Sequence, residues 1–112
     1  MTITEEENKF RIRLLLGAQS ALRGVATPSL RAITLGWDFE KRIIFVKSYF
    51  DKSICDIERD LVSAFATEIA SDFYENWQLD EQVIQLDAPQ KMERLKEWVY
   101  IRYEGELGPL PY

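Results

Sequence analysis

The sequence contains no histidine and a single cysteine, Cys55, in 112 residues. Losing imidazole removes the commonest metal ligand and the commonest general base, so most metal sites and nucleophile-histidine constellations are excluded at the outset. One thiol cannot form an intrachain disulfide. Long apolar runs are missing as well: nothing approaches the ~18 residues that a membrane-spanning helix needs. Met1 is followed by Thr-Ile-Thr-Glu-Glu-Glu, which has neither the basic start nor the apolar segment of a secretory signal. A reducing cytoplasm, with no membrane contact, is the expected location. Positive charge is in the minority, with 14 Lys and Arg against 19 Asp and Glu and a net charge of −5, which disfavours a protein that works by neutralising phosphates. Glycine-rich phosphate loops, HExxH, GxSxG and paired CxxC motifs do not occur, so no cofactor, no metal and no enzymatic activity is expected.

What is present is enough for a real core. A chain of this size buries about 60–70% of its unfolded surface, and one domain over residues 1–112 is the natural reading. Thr4-x-x-Glu7 fits a capping box ahead of an apolar stripe Phe10, Leu14, Ala18, Ala21 and Leu22. Glu5, Glu6 and Glu7 suit the positive end of a helix dipole, and Gly24 suits a left-handed stop, so a helix is predicted over roughly residues 5–23. Gly17 inside it either lets another element approach closely or is a tolerated weakness. After Thr27-Pro28, the segments Leu30 to Asp38 and Arg42 to Asp51 read as a hairpin joined by Asp38-Phe39-Glu40-Lys41. Ser53-x-x-Asp56 opens a second helix with the stripe Ile54, Ile57, Leu61, Phe65, Ile69 and Phe73. Val83 to Asp87 and Trp98 to Glu104 read as further strands, separated by a charged turn or short helix around Lys91 to Lys96. The order α-β-β-α-β-β predicts an α+β fold: a mostly antiparallel four-stranded sheet, two helices on one face, and the other face open.

Carboxylates can run acid and base chemistry when two converge, but nothing in this sequence specifies convergence. Asp56 with Asp60, and Glu68 with Asp72, are i,i+4 pairs on the side of the second helix away from its apolar stripe, where solvation is the ordinary outcome. Cys55 falls in the first turn of that helix, where the dipole can lower a thiol pKa; without a histidine partner, a partly buried and inert thiol is the expected state.

Charge placement says more than the total. Between Ser53 and Gln90 stand Asp56, Glu58, Asp60, Glu68, Asp72, Glu75, Asp80, Glu81 and Asp87, against Arg59 alone, while the rest of the chain is slightly positive. Like charges at i,i+4 cost a helix tenths of a kcal/mol each, so stability alone would not choose this clustering. An acidic face can be a solvated surface and nothing more. Tyr74 and Trp77 within the acidic stretch offer the aromatic anchors typical of interfaces, although Trp77 fits equally as core. A second candidate surface is the open sheet face. Alternation places Phe45, Tyr49, Trp98 and Tyr100 on it beside Lys47 and Arg102, which suits a dimer interface, a partner site or an RNA-stacking platform.

The segment Leu22-Arg23-Gly24-Val25-Ala26-Thr27-Pro28-Ser29-Leu30-Arg31-Ala32, the hairpin ending Tyr49-Phe50-Asp51, Glu68 in the second helix and the strand Val83-Ile84-Gln85-Leu86-Asp87 resemble small bacterial immunity proteins. The resemblance is nearest to those encoded beside contact-dependent growth inhibition toxins and related polymorphic toxins. It implies a cytoplasmic antitoxin that binds the C-terminal domain of one cognate toxin and blocks its active or substrate-binding surface. Many such toxins are nucleases, whose basic sites an acidic surface could fill as a phosphate surrogate. It transfers no catalytic residues. The expected partner-binding residues, drawn from charge placement, are Asp56, Asp60, Glu68, Asp72, Tyr74, Glu75, Trp77, Asp80 and Glu81. The alternative is a small RNA-binding or regulatory protein using the aromatic sheet face.

Overall fold

In the computed structural model, which describes residues 4–73 and 76–104, the element order is α1 (Glu5–Ala21), β1 (Leu30–Asp38), β2 (Ile43–Phe50), α2 (Asp56–Ser71), β3 (Gln78–Gln85) and β4 (Glu97–Ile101). The α+β order is the expected one. Thr4 caps α1, its hydroxyl accepting from the Glu7 amide at 3.1 Å. Phe10, Leu14, Ala18 and Ala21 form the buried face of α1, and Gly24 stands at φ 75 just beyond it.

The sheet order is β3-β2-β1-β4. β1 pairs antiparallel with β2 and with β4, whereas β3 runs parallel to β2, so the sheet is mixed. The parallel pair follows from connectivity: α2 is long enough to carry the chain back over the sheet, as a tight turn is not. β3 is also longer than the predicted Val83–Asp87 segment. Its first half, Gln78 to Glu81, is polar because it forms an exposed sheet edge, where charged side chains are the rule and no apolar alternation signals a strand.

Both helices lie on one face. Leu30, Ile33, Leu35 and Trp37 of β1 and Ile44, Val46 and Phe50 of β2 meet Phe10, Leu14 and Ala18 of α1 and Val62, Phe65, Ala66 and Ile69 of α2 in one core. Three details of α2 differ from expectation. Its N-cap is Cys55, not Ser53, because Glu58 at the third helical position accepts from the Cys55 amide at 3.2 Å. Cys55 is exposed, not partly buried. Ile57 is 71% exposed, and Leu61 is half-buried, while Val62 and Ala66 join Phe65, Ile69 and Phe73 inside. An i+4 step advances about 40° around a helix, so a strict i+4 series drifts off the core within two turns.

The second sheet face is not open. Because β3 and β4 occupy opposite edges, the connection between them must cross the sheet, and residues 86–96 lie over β2 and β1 without forming a helix. The Tyr49 hydroxyl donates to the Glu93 carbonyl at 2.9 Å and accepts from its amide at 3.1 Å. Thr34 Oγ1 accepts from the Leu95 amide at 2.9 Å. Gly36 is needed there, since a Cβ would stand 3.1 Å from that of Leu95. Met92, Tyr49 and Ala32 form a second small buried cluster flanked by Ile84, Leu86, Trp98 and Ile101. The pairing of β1 with β4 shifts between Ile33 and Thr34, leaving Val99 as the extra residue. The bulge turns Tyr100 toward the helices and Ile101 toward the cover, the reverse of simple alternation.

Candidate partner interface

One end of the sheet is tied by charge. Arg31, 2% exposed, donates from Nε and Nη2 to Glu104 at 2.8 and 2.9 Å, from Nη1 to the Leu86 carbonyl at 2.6 Å and from Nη2 to the Gln90 carbonyl at 2.9 Å. Arg102 bonds Glu104 at 2.8 Å, Asp51 at 3.3 Å and the Pro28 carbonyl at 2.6 Å. The hydrogen bonds to Arg31 hold the Glu104 carboxyl below the usual carboxylate range, and the same contact raises the guanidinium. This network is internal and structural. Sequence reasoning passed over it, although a lone arginine in the apolar run Leu30–Leu35 was the available signal.

The carboxylates named as contacts divide by their surroundings. Asp56 and Asp60 stand one turn apart on the solvent side of α2, and Glu68 and Asp72 stand exposed at its C-terminal end. The helix's own electrostatics do not favour acids there, because the C-terminus already carries partial negative charge. The ion pairs among the described residues engage Glu5, Glu7, Asp51, Glu97 and Glu104, and none takes in Asp56, Asp60, Glu68, Asp72 or Asp80. Asp80 and Glu81 are neighbours on β3 and therefore point to opposite faces. Glu81 is turned toward α2, where it meets Ser63 and where burial pushes its carboxyl pKa up; Asp80 is exposed on the other face.

Other acids of the same stretch serve the fold. Glu58 accepts from the Thr27 hydroxyl at 2.9 Å, from the Ser29 hydroxyl and from the Cys55 amide, contacts that lower its pKa. Asp87 accepts from the Lys52 amide at 2.6 Å.

Trp77 is half-buried and stacks on Phe10, with ring centroids 4.2 Å apart and planes 8° apart. Phe39 and Phe73 pack around the pair, so Trp77 seals this end of the core, while the Arg42 guanidinium lies 5.8 Å above its outer ring. Arg13 lies 4.9 Å from the Phe73 ring and donates to the Asp72 carbonyl at 3.0 Å. Tyr74 and Glu75 lie outside the described residues. The expected aromatic platform is not assembled, because Tyr49 is buried under residues 86–96 and Tyr100 faces the helices. Among the described residues no group of His, Cys, Asp and Glu side chains could hold a metal ion, and no helix is long and apolar enough to cross a membrane.

A small α+β domain with carboxylates on α2 left out of its ion pairs among the described residues fits an immunity protein, a class that acts by binding. The model of the MafI2 immunity protein family matches residues 11–104, most of the chain, and the protein belongs to that family. No curated protein matches it.

Proposed function

We propose that this immunity protein neutralises a cognate toxin domain by occlusion, without catalysis and in the cytoplasm, and that the toxin is a nuclease. On this reading the acidic flank covers the basic surface that the nuclease would offer to phosphates. Asp56, Asp60, Glu68 and Asp72 on α2 supply the charge, with Asp80 on the outer face of the β3 edge and the half-buried Glu81 beside α2; Glu75, in the same stretch of sequence, is counted with them, and Tyr74 and Trp77 are the proposed aromatic anchors. The observation that carries the proposal is that the exposed acids of α2 and Asp80 form no ion pair among the described residues. Unpaired surface charge of one sign accelerates encounter with an oppositely charged partner more than it adds affinity.

The test is association kinetics with the purified toxin domain encoded beside this protein, together with growth rescue. The triple substitution Asp60→Lys, Glu68→Lys, Asp80→Lys should slow association about 10- to 100-fold at low salt and flatten its salt dependence, since steering is what it removes. Thermal unfolding should barely move, because all three side chains are exposed. Unchanged association would overturn the acidic-flank reading.

A further inference from the structure

The acidic flank accounts for steering but supplies little apolar contact, and α1 carries what it lacks. Ile12 and Leu16 are 46% and 65% exposed, one helical turn apart, on the side of α1 opposite Phe10, Leu14 and Ala18. Leu79, Leu95 and Tyr103, also exposed, lie outside the two helices. The two helices form one surface: Gly17 lets the Asp72 carboxylate approach to 3.0 Å of where a Cβ would be, and Arg13 holds the Asp72 carbonyl. Ile57, 71% exposed on α2, belongs to the same layer. An exposed apolar patch beside the unpaired α2 carboxylates, with the exposed Arg13 of α1 between the two, has the anatomy of a docking surface, with an apolar centre and a charged margin.

We infer that the outer surface of the helix layer is the toxin-docking face, with Ile12 and Leu16 as its apolar anchors and the α2 carboxylates as its charged margin. The occupant is the toxin domain, which must then present an apolar recess next to a basic strip. This rests on the acidic-flank reading and extends it to α1. Apolar anchors act mainly on dissociation, whereas the margin acts on association.

The experiment compares Ile12→Glu, Leu16→Glu and their combination with the charge-reversed triple variant, using toxin-binding kinetics, thermal unfolding and the oligomeric state of the free protein. The combined α1 variant should raise the dissociation rate at least about tenfold, with folding unchanged because both side chains already face water. Unchanged dissociation, with association slowed in the triple variant, would overturn the α1 anchors and leave the acidic flank standing. Free wild-type protein that dimerises, with Leu16→Glu abolishing the dimer and leaving toxin binding intact, would likewise overturn it and assign the patch to a second copy of the chain.

Discussion

Replacing Glu104 by Gln tests the buried charge network with almost no change of shape. The Arg31 side chain is 2% exposed and that of Glu104 14%, so neither can turn to water for compensation. Gln retains one carbonyl oxygen but sets an NH2 against a guanidinium that can only donate, leaving Arg31 with the Leu86 and Gln90 carbonyls and only the more distant Asp51 and Asp87 as counter-charges. Breaking a buried pair in this way costs about 3–5 kcal/mol. The low end applies, because Arg102 keeps Asp51 as a partner. With an unfolding entropy of about 2.1 cal/mol/K per residue, ~3 kcal/mol lowers Tm by roughly 13 °C in a domain of this size. Urea unfolding at neutral pH measures the loss, and acid titration gives its signature. A carboxyl whose folded pKa is depressed adds stability that is present above its unfolded pKa and lost as pH falls through the lower folded value. The gap between wild type and variant should therefore close on acidification. A loss under about 1 kcal/mol, within reach of an ordinary surface change, or a gap that persists in acid, would refute the assignment.

Gly17→Ala should stabilise the protein by several tenths to about 1 kcal/mol, because among the described residues the obstacle is the exposed Asp72 carboxylate, which can rotate away; a measured loss would mean that the close approach itself holds α1 against α2. Tyr49→Phe removes both hydrogen bonds to Glu93 and should cost about 1–2 kcal/mol. Amide exchange in residues 90–96 should quicken at the same time, and protection equal to wild type would show that apolar packing alone holds that segment down.

Elements built on strong local patterns were legible in the sequence. Thr4 caps α1 with its hydroxyl, while the Glu7 carboxylate accepts from Trp37 and does not close a capping box; the stripe from Phe10 to Ala21 reports the core at the period of the helix, and the mostly apolar strand Leu30–Asp38 is buried on both faces. What escaped was set by long-range pairing. The first half of β3 is polar because it is an edge, and its parallel pairing with β2 depends on where α2 sends the chain. The β4 bulge reverses the last two positions of an otherwise regular alternation, and no residue within Trp98–Ile101 announces it. The cover over the second face follows from strand order, which local sequence does not encode. Arg31 belongs between the two groups: its charge was visible, but its partner lies 73 residues away.

The acidic stretch separates into acids that build the fold and acids that do not. Glu58 ties the N-terminus of α2 to the start of β1 through Thr27 and Ser29, and Asp87 ties the end of β3 to Lys52. Both earn their place by accepting hydrogen bonds that neutral water would otherwise take. Asp56 and Asp60 repel each other across one turn, and Glu68 and Asp72 add negative charge at the helix end that least favours it. No cation among the described residues pairs with any of these four. Asp56 gains from the helix dipole in the first turn of α2, but Asp60, Glu68 and Asp72 give folding no such return, whereas an oppositely charged partner would offset their repulsion on contact. In a protein of an immunity family, the carboxylates that the fold leaves unused are the ones we propose for the interface.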